Sequence, residues 1–107
     1  MSDFTEGSGN VFADIGVADP DTALVKAKMI VELKRIVGER GLTQDQLAQL
    51  VGVDQPTVSK VLRGRLSSIT LDRLIRWLTL LGCNVEITLG EPPAGEAARC
   101  EVRTKAA

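Results

Sequence analysis

The stretch that most constrains the fold of this chain runs from Leu42 to Gly64, and its pattern predicts two short helices joined by a tight turn. Thr43 is followed three residues later by Gln46, which is the spacing of a capping box at a helix start. Asp54 has the side chain to cap the second helix. Gly52, between the two, can adopt the left-handed backbone that ends one helix and turns the chain. We therefore expect a helix-turn-helix in this stretch.

The apolar residues of this stretch fit the same interpretation. Leu42 lies before the first cap and Leu47 inside the helix, so that the two can close a hydrophobic staple. Val53 and Val58 stand in the same relation to the second helix. Ala48 is small and lies on the inner face, which allows the second helix to approach closely.

These residues resemble the phage-repressor family of helix-turn-helix proteins, also called lambda-repressor-like or xenobiotic response element proteins. The matching positions are Thr43, Gln44, Leu47, Ala48, Val51, Gly52, Gln55, Val58, Ser59 and Gly64. In that family the second helix of the motif enters the major groove of DNA, and the resemblance places that helix at Gln55 to Arg63. The fold that the resemblance implies is mainly α, a lambda-repressor-like DNA-binding domain of four to five helices.

Charge is distributed unevenly along the 107 residues, which are enough for one domain. The formal net charge of −1 and the pI of about 5.4 would by themselves argue against a nucleic-acid partner. Residues 1–22 hold five acidic groups and no basic group, whereas residues 23–82 hold ten basic and five acidic groups, a net charge of +5. A basic middle between acidic ends is compatible with DNA binding by the middle, although ordinary solvated helix faces would give the same count.

The composition argues against an enzyme. The chain has no histidine, which removes the commonest general base and the commonest metal ligand. We expect no enzyme activity, no metal and no cofactor. Cys83 and Cys100 lack the spacing of a metal or redox motif and suit a reducing compartment. No signal peptide and no apolar run of membrane-spanning length is present, so we expect a cytoplasmic protein.

Three regions are expected along the chain: a flexible acidic N-terminal arm at 1–18, the DNA-binding domain with a C-terminal strand at 19–89, and a flexible tail at 90–107. Asp19 as a cap and Pro20 as the first helical residue predict a long helix that runs to about Arg40 and stops at Gly41. Its expected core residues are Leu24, Ala27, Ile30, Val31, Leu33 and Val37. A last helix, capped by Thr70, is expected to bury Leu71, Leu74, Ile75, Leu78 and Leu81.

The pattern changes after the last helix. In Asn84 to Leu89, Val85, Ile87 and Leu89 alternate with polar residues, which predicts a half-buried strand. A single strand needs a partner, and the candidates are the apolar patch Val11 to Ile15 or the same strand of a second subunit. We favour a homodimer, with an interface of Trp77, Leu80, Val85, Ile87 and Leu89. For Trp77 a place in the core of the subunit is an equally good interpretation.

The residues expected to bind operator DNA are Thr43, Gln44, Gln55, Pro56, Thr57, Ser59, Lys60, Arg63 and Arg65. The amide of Gln55 can both donate to and accept from adenine in the major groove. Resemblance gives Gln44 the role of a phosphate clamp at the helix start. Arg63 and Arg65 have the character of phosphate ligands. Pro56 stands where many relatives have a polar base-reading residue, which leaves fewer direct base contacts.

Beyond the motif, the arm, the long first helix and residues 71–87 resemble the HigA-like antitoxins. These are small bacterial repressors that neutralise a cognate toxin protein and regulate their own operon. The resemblance covers roughly Asn10 to Leu89 and implies an antitoxin and autorepressor of a type II toxin-antitoxin operon. Two alternatives remain open: a stand-alone phage-repressor-like regulator without a toxin, and a protein-interaction module that has lost DNA binding.

Overall fold

The computed structural model describes residues 20–105, and the regular secondary structure of this part of the chain is helical. The four α-helices are α1 (Pro20–Arg40), α2 (Gln44–Val51), α3 (Gln55–Leu62) and α4 (Leu71–Leu80), with a short 3-10 helix (Leu66–Ser68) before α4. The predicted mainly α-helical fold is confirmed for these residues. The acidic arm 1–18 and the cap expected at Asp19 lie outside the described residues.

The long first helix has the predicted extent, and its buried face coincides with the predicted one at Ile30 and Leu33 but not throughout. Its buried residues are Val25, Met29, Ile30, Leu33 and Ile36. The expected core residues Leu24 and Val31 are instead 52% and 66% exposed. The helix carries apolar side chains over a broad sector, so the sequence alone does not say which part of that sector faces the other helices. Packing against α3 and α4 selects the stripe that begins at Val25.

The helix-turn-helix has the predicted geometry. The Thr43 hydroxyl oxygen accepts a hydrogen bond from the backbone N–H of Gln46 at 3.0 Å, and the Thr43 N–H donates to Gln46 Oε1 at 2.8 Å. Both halves of the capping box are therefore formed. Gly52 ends α2 at φ +78°, in the left-handed region, and its N–H donates to the carbonyl of Ala48. This turn brings α3 back against α2.

One continuous core holds these helices together. Helix α1 packs on α3, α4 and the 3-10 helix, while α2 packs on α3 and α4. The side chains with the least exposure are Leu33, Leu47, Leu74, Leu81, Val58 and Val61. Each of the four α-helices contributes to the core cluster, so the orientation of α3 is set by contacts from all its neighbours.

The predicted strand at Asn84 to Leu89 is wrong for the described part of the chain, where these residues have no regular secondary structure. No backbone–backbone hydrogen bond within residues 20–105 involves residues 85–92. Val85 is half-buried against the core, but Ile87 and Leu89 are 71% and 91% exposed. Without a hydrogen-bonded neighbour, alternation alone does not produce a strand.

The tail after residue 90 returns to the helical domain. The chain turns at Pro93, whose carbonyl accepts from the N–H of Glu96. Val102 then packs against the core, and the backbone N–H of Cys100 donates to an Asp21 carboxylate oxygen at 3.4 Å. Lys105 Nζ lies 3.5 Å from Glu86 Oε1, so residues 97–105 pass close to the segment that precedes the turn.

Two glycine substitutions test the importance of the left-handed turn. Gly52→Ala should lower the free energy of unfolding by roughly 1–2 kcal/mol, since an added Cβ meets no atom within 4 Å but makes φ +78° unfavourable. Gly38→Ala is the matched control, because Gly38 lies inside α1, again with open space around an added Cβ. There alanine should raise stability by about 0.5–1 kcal/mol. Urea denaturation measures both, and equal signs for the two variants would contradict the assignment of the turn.

Candidate nucleic-acid interface

Helix α3 begins with two features that hold its N-terminus in place. The Asp54 carboxylate accepts a hydrogen bond from the backbone N–H of Thr57 at 2.9 Å. The hydrogen bonds from Thr57, aided by the positive charge of Lys60, lower the pKa of the Asp54 carboxyl. Pro56 lies in the first turn, where a missing N–H leaves no hydrogen bond unmade. Gln55 and Pro56 are thus presented at a helix start of fixed geometry.

The outer face of α3 brings together part of the predicted DNA-binding set. Gln55, Pro56 and Lys60 are exposed, and Thr57 and Ser59 are half-buried. The opposite face is buried through Val58 and Val61. Gln55 and Lys60 can therefore reach a ligand without any change in packing, whereas Ser59 has less free surface.

The predicted phosphate ligands lie directly after α3, in a turn of defined geometry. Gly64 adopts φ +85°, and its N–H donates to the carbonyl of Val61. The N–H of Arg65 donates to the carbonyl of Lys60 at 3.1 Å, which completes a Schellman ending. The side chains of Arg63 and Arg65 are both exposed.

The start of α2 supplies the two remaining residues of the predicted set. Gln44 is the first residue of α2 and is half-buried. The Thr43 hydroxyl oxygen already accepts the capping hydrogen bond, which makes Thr43 a helix cap first. Its hydroxyl proton is still available for a phosphate oxygen. The free N–H groups of a helix start favour an anion at this position.

Ion pairing separates the cations of the basic region into two groups. Arg35 on α1 forms ion pairs with Glu32 and Glu39 of the same helix, and the Arg35 hydrogen bond lowers the pKa of the Glu32 carboxyl. Lys60, Arg63 and Arg65 form no ion pair with any other residue in the part of the chain that the structure describes. The exposed charges of Lys60, Arg63 and Arg65 are therefore available to a ligand at α3 and the turn after it.

One polar contact near this surface was not predicted from the sequence. Lys26 of α1 donates from Nζ to the carbonyl oxygen of Leu66 at 3.0 Å, in a partly buried position. In the sequence Lys26 contributed only to the charge count. A separation of 40 residues between the two partners hides this contact from any local pattern.

The structure revises the predicted dimer surface. Trp77 is 2% exposed and belongs to the core of the subunit, so its assignment to a partner surface is corrected. Leu80, at the end of α4, is 45% exposed, and the later residues Ile87 and Leu89 are exposed as well. The interface itself stays a prediction.

Other kinds of site receive no support within residues 20–105. No group of three or more His, Cys, Asp or Glu side chains is arranged to hold a metal ion there. Cys83 and Cys100 are both free thiols. None of the helices in this range is long and apolar enough to cross a membrane.

Comparison with known proteins adds two findings. A family model described as a helix-turn-helix domain matches residues 11–90. A solved structure of a protein described as an XRE-family transcriptional regulator is similar in fold, with a TM-score of 0.73 and 27% sequence identity. The similarity covers 84% of this chain and 100% of that one. No curated protein sequence matches the chain.

The cap of α3 predicts a pH dependence that can be measured. Because the pKa of the Asp54 carboxyl is lowered in the folded protein, its charged form stabilises the fold at neutral pH. The ordinary pKa of this carboxyl is 3.8. The contribution is lost as the pH falls below that value and through the lowered pKa of the folded protein. Asp54→Asn keeps an acceptor without a charge. The difference in unfolding free energy between wild type and this variant should shrink between pH 7 and the lowest pH at which both fold, and a constant difference would contradict the prediction.

Proposed function

The chain belongs to a family of helix-turn-helix domains, and on that premise we propose that it is a sequence-specific DNA-binding transcriptional regulator. Helix α3 enters the major groove, and Gln55 reads a base edge there. Gln44 and Arg63 hold the DNA backbone on either side. The likeness to a solved XRE-family regulator supports this function, since the similarity includes the whole of that chain.

The observation on which the proposal rests is the division of α3 into two faces. Val58 and Val61 are fully buried, while Gln55 and Lys60 project outward next to the exposed Arg63. An amide and a lysine on one helix, with two arginines directly after it, match the two tasks of DNA recognition, base reading and phosphate neutralisation. The predicted contact residues that complete this surface are Thr43, Pro56, Thr57, Ser59 and Arg65.

The two tasks predict different mutant phenotypes. Gln55→Ala should weaken binding to the operator by about 1–3 kcal/mol, because a bidentate amide–adenine contact discriminates against a wrong base by that amount. Non-specific binding should be unchanged. Arg63→Ala should weaken binding to all sequences alike and reduce the salt dependence by about one unit. Fluorescence anisotropy with DNA from the chain's own promoter, at several salt concentrations, measures both. Loss of only non-specific binding in both variants would refute the assignment of Gln55.

The regulator is further proposed to act as a homodimer. Leu80, Ile87 and Leu89 leave apolar surface exposed at the end of α4 and in the segment after it. The backbone of residues 85–92 forms no backbone–backbone hydrogen bond with any other part of residues 20–105. Two recognition helices related by a two-fold axis would read a palindromic operator, with half-sites about one helical turn, ~34–36 Å, apart.

Charge placed on this surface should separate the copies. Ile87→Lys should give monomers at micromolar concentration, since a lysine at the interface would lose its hydration, and operator binding should weaken with it. Val31→Lys is the control, because Val31 is as exposed as Ile87 but lies on α1. Sedimentation velocity gives the oligomeric state. A monomeric wild type, or a dimeric Ile87→Lys variant, would contradict the proposed interface.

An antitoxin role is a finer version of the same proposal. It rests on the resemblance of residues 71–87 and of the arm to HigA-like antitoxins, and it adds a cognate toxin protein as a partner. The stand-alone regulator has the same DNA interface but no toxin. A neighbouring reading frame for a small basic toxin, whose growth arrest this chain relieves on co-expression, would favour the antitoxin. The interaction module without DNA binding is disfavoured by the unpaired cations after α3.

A further inference from the structure

The turn that follows α3 is held by hydrogen bonds from three directions. The N–H of Arg65 donates to the carbonyl of Lys60, so the turn is tied to the end of α3. The carbonyl of Arg65 accepts from the backbone N–H of Ser68 at 3.0 Å and from the Ser68 hydroxyl at 2.5 Å. The next carbonyl, that of Leu66, accepts from Lys26 Nζ on α1. Only the last of these bonds connects the turn to a distant element.

Apolar packing holds this turn in part, through Leu66, which packs against the core. A groove of about 260 Å³ opens between α1 and the turn, with Ala27 and Ile30 on one wall and Gly64 and Leu66 on the other. Leu66 is half-buried rather than buried. The hydrogen bond from Lys26 spans the edge of this groove and is partly buried. Because its donor is charged, it is stronger than a hydrogen bond between two neutral groups.

We propose that Lys26 is a positioning residue for DNA binding, which fixes the turn 64–68 on α1 and thereby the approach of Arg65 to the phosphate backbone. Its ammonium is committed to the Leu66 carbonyl and does not itself touch DNA. This inference rests on the proposed function, because Arg65 is a phosphate ligand only if the chain binds DNA. On this proposal, DNA binding also depends on a residue of α1, a helix that makes no base contact.

A double-mutant cycle tests the coupling between Lys26 and Arg65. Lys26→Met keeps the length of the side chain and removes its hydrogen bond. It should weaken binding to the promoter DNA by about fivefold, which is less than the full strength of a charged hydrogen bond because only part of the lost anchoring reaches Arg65. In an Arg65→Ala background the same change should have less than about a twofold effect, because there is no longer an arginine to position. An equal loss in both backgrounds would overturn the proposal.

Two further variants separate positioning from charge and from general destabilisation. Lys28→Met removes the same charge from an exposed position on α1 and should change affinity by less than about twofold. Lys26→Arg can still donate to the Leu66 carbonyl and should restore most of the affinity. Lys26→Met should leave the salt dependence unchanged, whereas Arg65→Ala should reduce it by about one unit. A reduced salt dependence in Lys26→Met would mean direct phosphate contact and would refute positioning.

A second measurement does not require DNA. The N–H of Ser68 donates to the Arg65 carbonyl inside the turn, so its hydrogen exchange reports how well the turn is held. Exchange should accelerate several-fold in Lys26→Met and not in Lys28→Met. If the wild type bound no promoter DNA but exchange accelerated in Lys26→Met, the proposed function would fail while the anchoring of the turn stood. Unchanged exchange would refute the anchoring itself.

Discussion

The burial of Val58 and Val61 on the inner side of α3 is the constraint on which the rest of the candidate interface depends. Both side chains are fully buried in the core. Burial of a valine contributes about 1.5–3 kcal/mol, which is more than an exposed hydrogen bond or ion pair contributes. Rotating α3 about its axis would expose both valines, so the core, and not the polar residues, decides that Gln55 and Lys60 point outward. The neighbours of these valines on α1 and α2 are therefore as important for the interface as the residues that form it.

Sequence reasoning succeeded where the determining interaction is local. The capping box of Thr43 and Gln46, the Asp54 cap and the left-handed Gly52 each involve residues within four positions of one another, so their spacing is visible in the chain. These features define the ends of α2 and α3 almost to the residue. The residues predicted from them for the outer face of α3 are exposed or half-buried in the structure.

The same reasoning failed where distant residues decide. The buried stripe of α1 begins at Val25 rather than Leu24, because contacts with α3 and α4 choose among several apolar faces. The alternation after Asn84 satisfies the pattern of a strand, yet a strand also requires a hydrogen-bonded neighbour, which no periodicity provides. Trp77 could be placed in the core or on a partner surface with equal reason until its neighbours were known.

Charge shows a similar limit. The count of ten basic residues in the middle of the chain treats Arg35 and Arg63 as equivalent, although Arg35 is neutralised by carboxylates of its own helix. Lys26 keeps its charge, but its ammonium is held in place by the carbonyl of Leu66. The field that DNA would meet therefore depends on which cations lie at the recognition surface, such as Lys60, Arg63 and Arg65, and not on the net charge alone.

Helix α4 connects the candidate DNA surface with the candidate subunit contact. It packs on α1 and α2, and its C-terminal end leads into the exposed apolar segment at Ile87 and Leu89. A single helix-turn-helix reaches few base pairs, so useful specificity requires two modules at a fixed separation. A subunit contact at the end of α4 would set that separation, since α4 is connected to α3 through the core. Close-packed side chains deform little, so the spacing would be fixed. The burial that orients α3 within one subunit would then also fix the distance between the recognition helices of two.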